Sequence, residues 1–161
     1  VRIDAFLNPG DPSYEGNFQV IQSMTAIGSG GFFGKGLFNG TISQYGFLPV
    51  TESDFIFAVL GEEFGFVGMA VVIILFFLFL SRIYSISKHA KDFYGTLVTT
   101  GFMGMLFYQI LQNIGMTIGL MPVTGVTLPF VSYGGSSMLT TMMIIALIMN
   151  IYSKSHSSFA Y

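Results

Sequence analysis

The chain has 161 residues, of which 9% are charged and 52% hydrophobic, and its mean hydropathy is +0.70. Soluble domains are about a quarter charged and need polar outer faces on their helices, so these figures exclude a water-soluble globule and indicate an integral membrane protein. A formal charge of −2 leaves no basic footprint for nucleic acid, and the lack of cysteine excludes disulfides and thiolate metal sites.

The charges are unevenly placed. Residues 1–63 hold seven acids against Arg2 and Lys35, whereas the 61 residues from Phe93 to Ser153 hold none. No basic segment precedes an apolar core after Val1, so no signal peptide is expected, and the chain is expected to be part of a longer protein. Asn8-Pro9-Gly10-Asp11-Pro12 is a turn cluster. Residues 18–27 are expected to form a short amphipathic helix lying on the membrane.

Residues 28–40 contain six glycines, too flexible for a helix and too apolar for a plain linker. Gly34-Lys35 resembles the end of a phosphate-binding loop, but Ser29 stands where the first glycine belongs and Gly36 follows the lysine; Phe33 likewise breaks a dinucleotide fingerprint. A glycine loop close to a lipid headgroup, with Lys35 meeting a phosphate, stays open. Asn39-Gly40-Thr41 is a glycosylation sequon that reads more simply as a turn.

Thr51-x-x-Asp54 ahead of an apolar run is a capping-box pattern, which makes the acid structural. The same carboxylate, beside glycine-rich and aromatic surfaces at a membrane face, is also a candidate general base, and the pattern alone does not choose. Glu62 and Glu63 stand at the entrance to the first span, about 100° apart on a helix, so one can face an interior partner and the other water.

Three transmembrane helices are expected at about 64–81, 93–121 and 136–153. The first is an uncharged run of about 27 Å, near the bilayer hydrocarbon thickness, and the second stops at Pro122. Between the second and third, residues 122–137 carry two prolines, three glycines and no charge. Backbone this irregular must be covered by protein or line a wet cavity, which gives a re-entrant-like loop. The loop 82–92 holds Arg82, Lys88, Lys91 and His89 against Asp92, and Lys154 begins the tail 154–161. Short loops rich in Lys and Arg stay cytoplasmic, so these two segments face the cytoplasm, while the large loop 1–63 and the 122–137 loop face outward.

Gln109, Gln112 and Asn113, spaced i, i+3, i+4, form one polar stripe, either for interhelical hydrogen bonds or for lining a substrate groove. Ser85-Ile86-Ser87-Lys88 matches a serine–lysine acylase pattern without its companion motifs and reads as a solvated loop. His89 and His156 have no metal-ligand spacing.

Five strings follow one another along nearly the whole chain: Ile27-Gly-Ser-Gly-Gly-Phe-Phe-Gly-Lys-Gly36, Phe47-Leu-Pro49, Asp54-Phe-Ile-Phe-Ala-Val-Leu-Gly-Glu-Glu-Phe-Gly65, Gln112-Asn-Ile-Gly-Met116 and Leu128-Pro-Phe-Val-Ser-Tyr-Gly-Gly-Ser-Ser137. The set resembles the SEDS family of RodA, FtsW and SpoVE, and the context from Gly40 to Pro49 is more similar to the elongation branch, RodA, than to the division branch, FtsW. The resemblance implies an all-α polytopic membrane protein, here the large extracytoplasmic loop and last three transmembrane helices of a roughly ten-helix fold. It implies a peptidoglycan glycosyltransferase of the bacterial cytoplasmic membrane that polymerises lipid II at the extracytoplasmic face during cell-wall elongation. A class B penicillin-binding protein and membrane lipid are the implied partners, and this portion is expected to be inactive alone. The family's essential acid maps onto Asp54. Val50 and Glu52 replace an acid and a histidine of the family pattern, so no histidine relay is carried over.

Such chemistry, inverting at the anomeric carbon, needs a base near the acceptor hydroxyl and cationic or amide groups near the leaving diphosphate. Asp54 is the candidate base. Lys35, Gly34 and Gly36 with the other amides of residues 28–36, Arg2, or a divalent cation (magnesium or manganese) are candidates for the second role. Glu62, Glu63, Gln112, Asn113, Ser132, Tyr133, Gly134, Gly135 and Ser136 complete the candidate substrate-binding set, and no metal ligand is assigned. Two other classes stay open: a lipid II flippase, whose path broken membrane segments and a polar stripe would form, and a scaffold of the cell-wall machinery.

The charge pattern predicts that a cysteine replacing Ala90 in this cysteine-free sequence is labelled by an impermeant thiol reagent only after the cells are opened. Labelling in intact cells overturns the topology.

Overall fold

Residues 15–37 and 54–157 are described in a computed structural model of the chain. Among them lie four helices and no strand: α1 (Glu15–Gly30), α2 (Ile56–Lys88), α3 (Phe93–Thr117) and α4 (Gly135–Ser157). Arg2, the turn cluster at 8–12, the Asn39 sequon, Val50, Thr51 and Glu52 lie outside the described residues.

The uncharged run expected to span from residue 64 is the middle of a longer helix. The charges that flank the run do not end the helix: Glu62 is fully buried in an ion pair with Lys35, and Arg82 is exposed near the far end, so neither stops α2. The second helix ends four residues earlier than its expected bound at 121. Gly119 (φ +75) takes the left-handed position after the helix, Leu120 N donates to Gly115 O (2.8 Å) and Gly119 N to Met116 O (3.2 Å). This Schellman arrangement satisfies the last carbonyls, so Gly119 rather than Pro122 terminates α3. Gly28 and Gly30, expected in irregular backbone, close the last turn of α1 instead.

Helix α2, and Gly135–Ser155 within α4, are long and apolar enough to cross a membrane. The 25 residues of α3 have the length, about 37 Å, but Thr96, Thr99, Thr100, Gln109, Gln112 and Asn113 lower its apolarity, so two of the three expected spans meet both criteria among the described residues.

A cluster of Ile83, Leu106, Ile144 and Ile148 joins α2, α3 and α4. Ser87 Oγ and Thr100 Oγ1 share a hydrogen bond of 2.7 Å, and Ser155 Oγ donates to His89 O (2.6 Å), so the end of α4 lies beside the α2–α3 turn. At the other end of the bundle, α1 lies across the start of α2 and the end of α3. Ala26 packs with Phe55 and Ala58, and the buried Ser23 Oγ donates to Thr117 O (2.8 Å). Phe57, Phe76, Ile110 and Leu128 form a third cluster, which ties the segment after α3 to both long helices.

One residue inside α2 is not helical: Gly65, with φ 66 and ψ −162. A continuous helix would pair Phe66 N with Glu62 O and Val67 N with Glu63 O. Here Phe66 N donates to Gly31 O (3.0 Å) and Val67 N to Phe32 O (3.2 Å), while Glu62 O accepts from Lys35 N and Glu63 O from Gly36 N, both at 3.0 Å. The glycine turn after α1 is thus paired with the break in α2. The approach needs glycine, since a Cβ on Gly34 would stand 2.1 Å from Glu63 O, one on Gly65 2.3 Å from Gly34 N, and one on Gly30 2.0 Å from Gly61 O.

Gly65→Ala therefore combines a left-handed backbone with a backbone clash and should cost about 3 kcal/mol or more. Gly101→Ala, whose Cβ meets nothing within 4 Å, should change stability by less than about 1 kcal/mol. Thermal unfolding of the detergent-solubilised full-length protein checks both, and equal melting temperatures would remove the role given to the break.

Candidate active site

Asp54 stands just ahead of α2. The capping-box expectation makes Thr51 the cap and Asp54 the third helical residue, but the helix begins at Ile56 with Phe55 as its N-cap and no side-chain cap bond. The chain stays non-helical through Asp54 because the Asp54 carbonyl turns aside to accept from Asn113 Nδ2 (3.0 Å). The acid precedes the helix, near its positive end, rather than serving as a reciprocal cap.

Asn113 and Gln112 reach this region from the penultimate turn of α3. Asn113 Nδ2 also donates to Val126 O (2.7 Å), and Gln112 Nε2 to Pro122 O (3.0 Å). Both side chains are buried and both serve the segment 122–128, so the polar stripe holds loop backbone rather than a facing helix or an open groove. Gln109, the third member, is only half-buried. The other amide atom, Asn113 Oδ1, is buried without a hydrogen-bond partner among the described residues. Gly125 has φ +72, and a Cβ there would lie 3.3 Å from Asp54 Oδ2, so the loop backbone runs close beside the carboxylate.

The loop then tightens. Val131 N and Ser132 N both donate to Leu128 O (3.3 and 3.0 Å), and Leu128 N donates to Ser132 Oγ (2.7 Å). Phe130 within this turn has φ +65, the one positive φ outside glycine among the described residues, and its ring meets that of Phe79 edge-on at 5.6 Å. An open cleft of about 500 Å³ lies beyond, lined by Ile56, Val131, Ser132, Tyr133, Gly134, Gly135 and Met138. Ile56 follows Asp54 by two residues, yet Asp54 itself does not line the cleft. Tyr133 is 78% exposed, and Ser136 is exposed at the start of α4.

Lys35 and Glu62 make a separate group. Lys35 Nζ lies 3.1 Å from Glu62 Oε1, with side-chain exposures of 30% and 0%. Glu63 is half-buried, so the two adjacent acids divide between interior and periphery as their 100° separation requires. Three of the amides expected to cradle a phosphate are engaged within the chain in this arrangement: Gly34 N donates to Gly30 O (2.8 Å), and the Lys35 and Gly36 amides serve α2. Lys35 likewise brings a charge already matched by Glu62. No three His, Asp or Glu side chains gather closely enough to hold a metal among the described residues.

The structure thus unites Asp54, Gln112 and Asn113, keeps Lys35, Gly34, Gly36, Glu62 and Glu63 together as a second group, and leaves Ser132 to Gly135 along the cleft. Sequence reasoning missed Gly125 and Val126; the signal for them is Gly125 three residues after Pro122, a turn pattern with its glycine last.

The family described as cell cycle protein, FtsW, RodA and SpoVE, matches residues 1–157, and the chain belongs to it. It is 46% identical to the peptidoglycan glycosyltransferase RodA of Treponema pallidum (strain Nichols) over 96% of this chain and 36% of the relative. It is 43% identical to the stage V sporulation protein E of Bacillus subtilis (strain 168), covering 95% and 42%, and 42% identical to the peptidoglycan glycosyltransferase MrdB of Escherichia coli (strain K12), covering 94% and 41%. Among solved structures it is similar to a chain of a peptidoglycan synthase complex (TM-score 0.77, 33% identity, 96% of this chain and 41% of that one). A point mutant of the Thermus thermophilus rod shape determining protein RodA is also similar (TM-score 0.64, 30% identity, 88% and 48%). The chain spans roughly two-fifths of the length of these curated relatives. Family and helix lengths agree on a membrane-embedded protein.

Because Glu62 is the buried member of its pair, Lys35→Met should destabilise the protein by about 3 kcal/mol, more than Glu62→Gln, and the double variant should recover part of the loss. A double-mutant cycle on thermal unfolding tests this, and strictly additive effects would show the two side chains to be uncoupled.

Proposed function

We propose that the full-length protein is a peptidoglycan glycosyltransferase that polymerises lipid II, with Asp54 as its general base. The observation that carries this reading is the seat of Asp54: a partly buried carboxylate just ahead of α2, its main chain held by Asn113 of α3 and its Oδ2 close beside the loop backbone at Gly125. It occurs in a chain whose relatives include proteins named peptidoglycan glycosyltransferases.

The Asp54 carboxylate takes the proton of the acceptor hydroxyl as that oxygen attacks the anomeric carbon of the donor sugar. The bond from that carbon to the diphosphate breaks, the electron pair leaves on phosphate oxygen, and the configuration inverts. Lys35 is the candidate cation for the leaving diphosphate, with a contribution reduced by its pairing to Glu62. A divalent cation is the other candidate for that role; held by one or two carboxylates and the substrate's own phosphates, it would need no cluster of three protein ligands. The cleft beside Ile56 and the 131–135 backbone is a candidate site for part of the lipid-linked substrate. The Lys and Arg bias of 82–92 supports an extracytoplasmic active face in the bacterial cytoplasmic membrane. Similarity to a chain of a peptidoglycan synthase complex supports a class B penicillin-binding protein as partner. The Gly40 to Pro49 context supports the elongation branch.

Asp54→Asn in the full-length protein should abolish glycan synthesis while expression, membrane insertion and lipid II binding persist, because an amide cannot take the proton. Near-normal synthesis returns Asp54 to a structural role. Lost lipid translocation with polymerisation intact would favour the flippase.

A further inference from the structure

We infer that Asn113 and Gly125 are positioning residues that seat the Asp54 carboxylate, Asn113 by gripping the Asp54 main chain and Gly125 by leaving room for Oδ2. The inference rests on Asp54 being the base.

Asn113 is fully buried, and its nitrogen faces two carbonyl oxygens, Asp54 O at 3.0 Å and Val126 O at 2.7 Å. Both neighbours are acceptors, so the chemistry alone fixes which way the amide points. That orientation leaves Oδ1 buried and unpaired among the described residues, a state that native interiors rarely tolerate. The side chain therefore sacrifices its acceptor to aim both N–H donors at the carbonyls of Asp54 and Val126. A leucine would fill the space and relieve the oxygen, but it would strand both carbonyls.

Gly125 completes the seat. Its Cα lies so close to Asp54 that an added Cβ would be 3.3 Å from Oδ2, tighter than ordinary van der Waals contact. Main chain and side chain of Asp54 are thus referenced to consecutive loop residues, 126 and 125. Gln112 pins the same loop at Pro122 O, so α3 fixes it on both sides of Gly125. A carboxylate that must meet one hydroxyl gains from such preorganisation, since a displacement of about 1 Å can cost on the order of a hundredfold in rate.

The test uses the full-length protein in vesicles with lipid II. Turnover is measured beside the stoichiometry and affinity of lipid II binding, which count folded molecules independently of chemistry. Gly125→Ala should lower turnover by about tenfold or more, with stoichiometry unchanged and affinity within about threefold. Gly119→Ala is the control: it has a similar positive φ of +75, but its Cβ would meet only the Met24 and Val20 side chains, so turnover should stay within about twofold. Asn113→Asp, which removes both donor hydrogens at constant size, should behave as Gly125→Ala does; if it misfolds, Gly125→Ala decides alone. Wild-type turnover in Gly125→Ala, or a loss no larger than its loss of binding stoichiometry, overturns the assignment. If Asp54→Asn is inactive while Gly125→Ala is fully active, only the positioning role fails; if Asp54→Asn is active, the reading of the base itself fails.

Discussion

The end of the bundle where α1 crosses α2 and α3 depends on how the break at Gly65 is satisfied. Opening α2 there releases the carbonyls of Glu62 and Glu63 and the amides of Phe66 and Val67, and no solvent in a lipid setting would meet them. The turn after α1 supplies partners for all four groups through Gly31, Phe32, Lys35 and Gly36. An unpaired buried backbone group costs about 1–3 kcal/mol, so the turn and the break stabilise each other and neither is favourable alone. The glycines at 30, 34 and 65 are explained by this contact, because each sits where two backbones meet without room for a Cβ.

A second irregular segment obeys the same rule by other means. Residues 122–132 have no helix to complete, so the carbonyls of Pro122 and Val126 are met by Gln112 and Asn113, while Leu128 is closed on Ser132. Polar side chains in an apolar helix are expensive and are kept where they have partners. The partners here are main-chain atoms of a loop, so the polar part of α3 acts as scaffolding for the segment that faces Asp54.

What could be read from the sequence follows the range of the forces involved. Uncharged apolar runs give helices, because hydrophobicity over twenty residues is a local property; the demand of the 122–137 segment for protein cover is equally visible from its prolines and glycines. Helix ends were harder. Glu62 reads as a boundary in the sequence because its neutralising partner, Lys35, lies 27 positions earlier, a contact that no local window contains. Pro122 looked like the stop for α3, but a helix can end sooner wherever a glycine offers the left-handed turn, as Gly119 does. The glycine-rich segment suggested amides aimed at a phosphate; that they face Glu62 and Glu63 depends on the break at Gly65, invisible in a run that is otherwise uniformly helical. For Asp54 the family resemblance chose the residue, while the geometry of its seat, with Gly125 and Val126, came only from the tertiary arrangement.

These two devices meet on one short piece of helix. Residues 56–64 form a rod of about 13 Å, bounded at its start by Asp54 and at its end by the break. At the start, Asn113 holds the Asp54 carbonyl, and at the end the amides of the glycine turn hold the Glu62 and Glu63 carbonyls while Lys35 Nζ pairs with the Glu62 carboxylate. Along its length Gly61 lies against Ile27 of α1, and Phe57 is locked into the cluster with Phe76, Ile110 and Leu128. A packed helix of little more than two turns transmits displacement rather than absorbing it, since interiors repack in discrete steps. The position of Asp54 is therefore set jointly by α3 and by a turn about eight residues further along α2. A change in the glycine turn that never touches the carboxylate can still move it relative to the loop at Gly125. That linkage gives Lys35 and Glu62 a physical route to influence the position of Asp54 whether or not either side chain meets a ligand.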